Sequence, residues 1–257
     1  MNTSPVATSY QMGYVALSYC IAVLGGFVAL WAAQRIRRAD GGISVSNSVA
    51  AGLALGGIGV WSMHFIGMVA LKLEAASAYS LWETGVSLVA AVAGSALALA
   101  YVARAPERMG RIAGAGFVLG MGVVLMHYLG MYGLKIPGYI AWNYGIVAGS
   151  AVIAVLAATA ALWLAFNTRG GLARTAAALV MGVAVCAMHY TGMAAASFIC
   201  TSNPAIAPVG TGYFSPAQLP AIVAFVALTT AALIVVYQVY QESTGEMDLP
   251  EAASGFR

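Results

Sequence analysis

The sequence contains three histidines, His64, His127 and His189, and each lies in the same local pattern. The pattern is Met-His-aromatic-x-Gly-Met, and the histidines follow one another at intervals of 63 and 62 residues. Imidazole nitrogen and thioether sulfur are ligands for borderline and soft metal ions. The repeated pattern therefore predicts a metal site to which three parts of the chain contribute.

Each histidine shares a helix face with the methionine four residues later, because positions i and i+4 lie on one side of an α-helix. The pairs are His64 with Met68, His127 with Met131, and His189 with Met193. The methionines directly before the histidines lie about 100° away around the axis and are expected to reach a neighbouring helix. They are Met63, Met126 and Met188. All nine residues are candidate ligands, and this donor set favours copper, especially Cu(I).

A structural interpretation of the motif stays open from the residues alone. A duplicated helix pair can carry a buried histidine through each copy, and methionine often fills gaps in apolar cores. An ionisable residue within a membrane span is costly, however, and is functional by default. Cys186, three residues before His189, is either a further ligand or a core residue, since its counterparts Trp61 and Val124 are not ligands.

The composition sets the class of protein that must position these residues. The 257 residues are 61% hydrophobic and 7% charged, against about a quarter charged in ordinary soluble domains. Eleven basic and eight acidic side chains cannot cover the surface of a soluble fold of this size. The composition excludes a soluble enzyme, a disordered chain and a nucleic-acid binder. It predicts a multi-pass membrane protein that has the lipid bilayer as its partner.

A helix needs about 20 mostly apolar residues to cross the hydrocarbon core, and the chain offers seven such stretches. They are Tyr14–Gln34, Ser48–Leu71, Trp82–Ala103, Ile112–Leu134, Ala141–Phe166, Thr175–Phe198 and Pro216–Val239. We predict an all-α fold of seven transmembrane helices, arranged as one helix plus three repeated helical hairpins. Two helices per repeat return each motif to the same side of the membrane.

The arginines predict the orientation. The loops after the first, third and fifth spans carry eight arginines, whereas the opposite loops carry only Lys72 and Lys135. The eight are Arg35, Arg37, Arg38, Arg104, Arg108, Arg111, Arg169 and Arg174. Positive loops stay in the cytoplasm, so we expect an extracytoplasmic N-terminus (1–13), a membrane domain (14–239) and a cytoplasmic tail (240–257), with the motifs on the outer face.

Several other residues near the predicted outer face have structural interpretations. Ser80 with Glu83 and Ser215 with Gln218 match helix capping boxes, although these polar side chains and Asn143 could also support the imidazoles. The tryptophans at this depth predict an aromatic belt at the membrane interface. They are Trp61, Trp82 and Trp142. The GlyxxxGly patterns at 52–56 and 116–120 predict close helix packing that brings the motif helices together.

The chain resembles the MHYT domain, an integral membrane sensor module named for a Met-His-Tyr-Thr motif, over nearly its whole helical region. That motif stands at Met188–Thr191, and the other two copies have Phe-Ile and Tyr-Leu after the histidine. The resemblance implies seven helices in a bacterial inner membrane, copper bound through the Met and His residues, and a response to a diatomic gas such as O₂, CO or NO. Family members often continue into diguanylate cyclase, phosphodiesterase or histidine kinase domains. This sequence stops after the seventh helix, so we expect a separate signalling output protein.

Two further functions remain as alternatives. A copper-handling or transport protein is one, although the spans carry Asp, Glu, Lys or Arg only at their ends, whereas coupled transport usually needs an acidic relay. A haem protein is the other, because two histidines can ligate one iron, but the repeated methionine favours copper. The sequence contains no visible nucleophile–base set, and we predict no catalytic residue and no enzyme activity.

Overall fold

The computed structural model describes residues 5–38, 40–167 and 170–243. Within this part, seven helical segments are long and apolar enough to cross a membrane, which confirms the predicted fold class. They are α1 (Met12–Ala33), the second span (Val45–Ala70) with α2 (Val45–Gly52) and α3 (Met63–Ala70) at its ends, α4 (Leu81–Ala103), α5 (Met109–Gly133), α6 (Tyr144–Asn167), α7 (Gly171–Ala194) and α8 (Leu219–Ser243). Most ends lie within a few residues of the predicted windows. Predictions about Arg169 and about residues 1–4 and 244–257 lie outside the described residues.

The second span changes its helix type in the middle. Leu53–Ser62, between α2 and α3, form a π-helix, a form usually restricted to single turns at functional sites. The Ser62 hydroxyl donates to the Gly57 carbonyl over 2.9 Å, which matches the five-residue step of this helix. Of the three glycines in this segment, Gly56 is the one whose neighbour lies too close for a Cβ. A methyl group on Gly56 would overlap the backbone of Ala91 in α4.

The GlyxxxGly patterns pack closely, as predicted, but against different partners. Methyl groups on Gly52 and Gly56 would overlap α4, and methyl groups on Gly116 and Gly120 would overlap α6. The small residues therefore join the first and second motif-bearing spans to the helix that follows each of them in the chain. The prediction that these patterns bring the motif helices directly together is wrong.

Six spans form a closed ring in which each contacts the next along the chain, and α7 returns to contact α1. The motif-bearing spans alternate in this ring with α1, α4 and α6. The seventh span, α8, lies outside the ring against the second span, with Thr230 beside Gly57. Helix α1, rather than α8, thus separates the third motif helix from the first.

Short strands cover the end of the bundle at which the motifs lie. β1 (Thr8–Tyr10) pairs with β2 (Leu71–Leu73), β3 (Ala78–Ser80) with β4 (Leu134–Lys135) and β7 (Tyr213–Phe214), and β5 (Gly138–Trp142) with β6 (Ala196–Cys200). We refer to these seven antiparallel strands as the strand cap. They replace the helix ends predicted at Ala141 and Phe198, because these residues pair with each other's strand. The observed fifth and sixth spans therefore start at Tyr144 and end at Ala194.

Candidate metal centre

The three histidines meet in the interior of the bundle, as the repeat predicted. His64 lies on α3, His127 on α5 and His189 on α7, and their side chains have 0%, 0% and 1% of their surface exposed. The ring centroids are 4.9, 4.9 and 5.2 Å apart, and the planes cross at 82–85°. Each ring therefore meets its two neighbours edge to face around one centre.

The Nδ1 atoms of the rings face one another. His64 Nδ1 lies 3.0 Å from His189 Nδ1 and 3.1 Å from His127 Nδ1. A neutral imidazole has one N–H and one lone pair, so only one Nδ1–H can point at this centre without meeting a second proton. The other two nitrogens then present lone pairs to each other. A shared cation removes this repulsion.

The distances fit a metal ion. Nitrogens that bind one ion at about 2.0 Å lie about 3.3–3.5 Å apart, so the rings need to separate by only a few tenths of an ångström. The three imidazoles have ligand atoms within 4.8 Å of one another and form the metal-ligand cluster found among His, Cys, Asp and Glu in the described residues. A neutral set of imidazoles suits copper, zinc, iron or nickel rather than magnesium or calcium.

The glycine of each motif makes room for the histidine of another. A methyl group on Gly130 would overlap the His64 ring, one on Gly192 the His127 ring, and one on Gly67 the His189 ring. In each case the atom overlapped is Nε2, and these three atoms have no hydrogen-bond partner among the described residues. We call these three glycines, Gly67, Gly130 and Gly192, the glycine cradle. The first histidine lies against the glycine of the second motif, the second histidine against that of the third, and the third against that of the first. The glycine cradle turns every Nε2 outwards and every Nδ1 towards the centre.

An aromatic residue follows each histidine and packs on its edge. Phe65, Tyr128 and Tyr190 contact their preceding histidine with centroids 4.7, 4.8 and 4.7 Å apart. All three pairs are T-shaped, at angles of 78–86°. Two perpendicular rings leave each imidazole few other rotamers, so the aromatic position fixes the direction of Nδ1.

The strand cap provides a second aromatic residue for each motif. Tyr79 of β3 packs on Phe65 at 6.5 Å, Trp142 of β5 on Tyr128 at 5.3 Å, and Tyr10 of β1 on Tyr190 at 5.8 Å. Burial raises the pKa of Tyr79 and, together with the nearby Tyr190, that of Tyr10. Both phenols are therefore neutral at physiological pH, and the cap closes the centre with aromatic rings rather than with charge.

A buried serine on each of the intervening helices anchors this aromatic layer. Tyr128 Oη lies 2.8 Å from Ser150 Oγ on α6, and Tyr190 Oη lies 3.0 Å from Ser18 Oγ on α1. Each serine donates its own proton to the carbonyl three residues earlier, so the tyrosine is the donor in these contacts. The bonds hold the second and third aromatic residues in place.

The first motif reaches its serine by a different residue. Phe65 has no hydroxyl, and instead Trp61 Nε1 donates to α4, where Ser87 Oγ and the Thr84 carbonyl share the proton, each at 3.1 Å. Trp61 is 1% exposed, so its predicted place in an interfacial aromatic belt is wrong: its indole N–H has a buried partner. Cys186 occupies the equivalent position of the third motif and lies next to Ser18. Cys186 therefore lies beside the anchoring serine. Neither Cys186 nor Cys200 belongs to the histidine cluster.

The six motif methionines are all buried. Those that follow the histidines, Met68, Met131 and Met193, lie one turn towards the strand cap, and those that precede them lie in the same apolar core. As ligands, all six remain predictions.

The polar residues at the helix starts have local partners. The Glu83 carboxylate accepts from Ser80 and pairs with Lys135 at 2.8 Å, which ties α4 to the end of α5. Asn143 Oδ1 accepts from the backbone N–H groups of Gly145 and Ile146, and Gln218 Oε1 accepts from that of Ser215. Capping explains Asn143 and Gln218, whereas the Ser80 side chain makes no cap bond to α4.

Sequence reasoning did not single out the three serines or assign a role to the motif glycines. The signal was present, because Ser87 and Ser150 are 63 residues apart, as are His64 and His127. Ser18 lies before the first repeat. Its equivalence follows only from the position of α1 in the ring.

Comparison with known proteins gives matches over most of the chain. A family model described as MHYT, bacterial signalling protein N terminal repeat, matches residues 57–115, 120–178 and 182–244. These three matches confirm the predicted internal repeat, with one histidine motif in each. No solved structure matches the chain.

Three curated relatives are signalling proteins. The chain is 42% identical over 196 residues to the bifunctional diguanylate cyclase/cyclic di-GMP phosphodiesterase MucR of Pseudomonas aeruginosa, which covers 74% of this chain and 28% of that protein. It is 32% identical over 210 residues to the cyclic di-GMP phosphodiesterase NbdA of the same species (78% and 26%). Signaling protein YkoW of Bacillus subtilis is 28% identical over 200 residues (75% and 25%). The chain spans about a quarter of the length of these relatives.

Proposed function

The chain belongs to the MHYT family, and on this premise we propose that it is a membrane sensor module that binds copper and responds to a diatomic gas, O₂, CO or NO. The observation that carries the proposal is the meeting of three Nδ1 atoms, two of the distances being 3.0 and 3.1 Å, in a site without an acidic residue. Buried lone pairs that face one another call for a shared cation. When bound, copper would supply a coordination position that a small gas can occupy.

The protein's own residues hold and shield this position. His64, His127 and His189 provide the nitrogen ligands, and the glycine cradle keeps their Nδ1 atoms directed at the centre. Met68, Met131 and Met193 are proposed to add thioether ligands from the side of the strand cap, while Met63, Met126 and Met188 supply soft donors from the same helices. Thioethers favour Cu(I) over Zn²⁺. The aromatic residues of the motifs and the cap keep water out.

The same distances argue against haem. An iron porphyrin held by two histidines needs a slot as wide as the macrocycle between the two imidazoles. Here, His64 Nδ1 lies 3.0 and 3.1 Å from the Nδ1 atoms of the other two rings, and each ring contacts a glycine of another motif helix. The geometry supports a single ion within the cluster.

We propose that the bundle reports to a separate signalling protein and has no catalytic role of its own. Two relatives are named for enzymes that make or degrade cyclic di-GMP, which suggests this second messenger as the output. A change in coordination can shift the packing of the bundle only if the gas binds two packings with different affinity. The three motif helices all meet at the centre and are the elements that such a shift would move.

We also propose a bacterial inner-membrane location with the N-terminus (1–13) outside, the spans within 14–239 and the tail (240–257) in the cytoplasm. Eight arginines on the loops opposite the motifs support this orientation. A reporter fused after Val239 should be cytoplasmic, and one inserted in the 201–212 loop should be extracytoplasmic. The reverse pattern would place the metal centre at the cytoplasmic face.

Metal analysis of the purified protein tests the copper proposal. Protein extracted in mild detergent should retain copper in preference to zinc or iron, and the double variant His127→Ala/His189→Ala should lose most of it. Insertion depends on the apolar spans, so the variant should still be recovered as folded membrane protein. The matched control is Met121→Ala/Val183→Ala, which changes exposed residues of the same two helices and should retain copper.

Two results would contradict the proposal. Unchanged copper in the double histidine variant would make the motif structural. A haem absorption band in the purified protein would replace copper with an iron porphyrin.

A further inference from the structure

An apolar cavity lies one helical turn from the histidine cluster, on the side away from the strand cap. Its volume is about 30 Å³, whereas about 10–15 Å³ is enough for one water-sized guest. Val60, Val123 and Val185 line it, and each precedes a motif histidine by four residues. Four residues of helix rise about 6 Å, so the cavity opens directly beneath the three imidazoles. Met188, next to His189 in the chain, also lines it.

The chemistry of the cavity excludes water and selects an apolar guest. Its lining consists of leucine, valine, alanine and methionine side chains. A water molecule needs two to four polar partners to occupy a buried site, whereas apolar cavities stay dry and take up xenon or small hydrocarbons. The size and the lining together fit a molecule of two non-hydrogen atoms without charge.

Small residues on two facing helices line the cavity and form its boundary on the lipid side. Helix α6 contributes Ala154, Ala157, Ala158 and Ala161, a spacing that places them on one face. Helix α7 contributes Met181, Ala184, Val185 and Met188 with the same spacing. The residues of each face are not equally buried: Ala157, Ala161, Ala184 and Val185 are half-buried, and the other four are buried. The cavity is thus separated from the lipid side by short side chains at the α6–α7 boundary.

We propose that this cavity is a binding site for a small uncharged apolar molecule of the O₂ class, which enters from the hydrocarbon of the membrane between α6 and α7. Such gases dissolve better in hydrocarbon than in water, because water excludes apolar solutes. The entrance therefore faces the phase that holds the guest at higher concentration. The binding site itself does not depend on copper. The inference rests on the proposed function only in its consequence, which is that the guest is delivered next to a metal held by the three histidines.

Xenon is the probe, because it matches an apolar cavity of this size and requires neither copper nor a signalling partner. The full chain in lipid nanodiscs is examined by hyperpolarised ¹²⁹Xe exchange NMR, which separates protein-bound xenon from xenon in the lipid. Wild-type protein should give a bound signal that Ala154→Leu reduces at least about tenfold, because three added carbons fill the cavity. Ala160→Leu makes the same change on the exposed face of α6 and should leave the signal unchanged.

A second variant covers the case in which Ala154→Leu does not fold. Ala157 is half-buried at the proposed entrance, where a leucine can extend partly into lipid, and Ala157→Leu should slow xenon exchange or abolish the bound signal. No bound signal in wild-type protein, or an equal signal in wild-type, Ala154→Leu and Ala157→Leu, would overturn the proposal.

Copper content measured on the same preparations separates this proposal from the metal site. Loss of the xenon signal in a variant that retains copper would show that the cavity is the xenon site and would leave the metal proposal intact. Xenon binding in protein that never retains copper would leave the cavity assigned and defeat the metal proposal alone.

Discussion

The first and third motifs hold equivalent histidines on very different helices. The second span, which holds the first motif, contains the ten-residue π-helix, and 83% of its apolar window is buried. Helix α7, which carries the third motif, is α-helical throughout, and only 28% of its window is buried. The difference arises because α8 covers the second span, whereas α7 faces outwards beside α6 and α1.

The anchors differ in the same way. In the third motif Tyr190 hydrogen-bonds to Ser18. In the first motif Trp61 hydrogen-bonds to Ser87, and Phe65 has no polar group with which to do so. The three imidazoles nevertheless meet at nearly equal distances. The comparison shows which parts of the repeat the centre requires: a histidine, a glycine for the next ring and an aromatic neighbour. The helix type and the identity of the serine's partner can vary as long as the ring is held.

If the histidines are equivalent, removal of any one should have the same large effect. We expect His64→Ala and His189→Ala each to weaken Cu(I) binding at least about 100-fold, since even loss of a residue that only supports a ligand typically costs 10–100-fold. Competition with a chromophoric Cu(I) chelator measures this affinity. If only His189→Ala weakens Cu(I) binding, the histidine of the first motif is structural, and the site has only two histidine ligands.

The glycine cradle should fail in a similar way in both motifs. A methyl group at Gly67 overlaps the His189 ring and one at Gly192 the His127 ring, so Gly67→Ala and Gly192→Ala should each destabilise the protein by about 1–3 kcal/mol, as overpacking does. Copper affinity should fall as well, because the ring is pushed from its position. Thermal unfolding in detergent and copper competition provide the two measurements.

The control for the cradle uses glycines with open space. Gly85 in α4 and Gly149 in α6 have no atom within 4 Å of an added Cβ, so Gly85→Ala and Gly149→Ala should keep copper affinity and be neutral or stabilising, since alanine favours helix. Equal destabilisation by all four substitutions would mean that the close approach of glycine and imidazole has no energetic role.

The aromatic anchors should give smaller effects that distinguish the motifs. Tyr190→Phe removes one hydrogen bond, and such bonds within membranes contribute about 0.6 kcal/mol on average and at most about 1.7. Trp61→Phe removes the N–H that Ser87 and the Thr84 carbonyl share and leaves unfilled volume, so its effect on unfolding should be larger. Adding Phe65→Tyr to Trp61→Phe supplies the hydroxyl found in the other motifs and should recover part of the stability. Further destabilisation by Phe65→Tyr would show that Ser87 is not the counterpart of Ser150.

The sequence was sufficient to predict the seven helices and the convergence of the three histidines. Apolar length defines a span, and two crossings per repeat place His64, His127 and His189 at the same end. Interactions between distant residues were not accessible in this way. The strands pair Thr8 with Leu73 and Gly138 with Cys200, and runs of three to five residues give no periodic signal that would reveal such partners.

The sequence also did not show which face of a helix is buried. Trp61 is predicted at the membrane interface, where tryptophan is enriched, but it lies within the π-helix of the second span. Only the position of α4 shows that its face is buried. Ser18 belongs to α1, which precedes the first repeat and is equivalent to α4 and α6 only in space. The geometry of the ring therefore decides both roles, and no local pattern contains that information.

The methionines should give the smallest effect, and they separate a thioether ligand from a core side chain. Met131→Leu nearly conserves volume, so its cost in packing should remain below about 1.5 kcal/mol. Loss of a soft donor should weaken Cu(I) binding several-fold while leaving Zn²⁺ binding unchanged, because zinc gains little from a thioether. Met121→Leu, at an exposed position of the same helix, serves as the matched control and should change neither affinity. If Met68→Leu in the first motif and Met193→Leu in the third shift the Cu(I) affinity equally, the thioethers follow the symmetry of the imidazoles. If all three substitutions leave Cu(I) and Zn²⁺ affinity unchanged, the metal is held by nitrogen alone, and the methionines after the histidines pack the core beneath the strand cap.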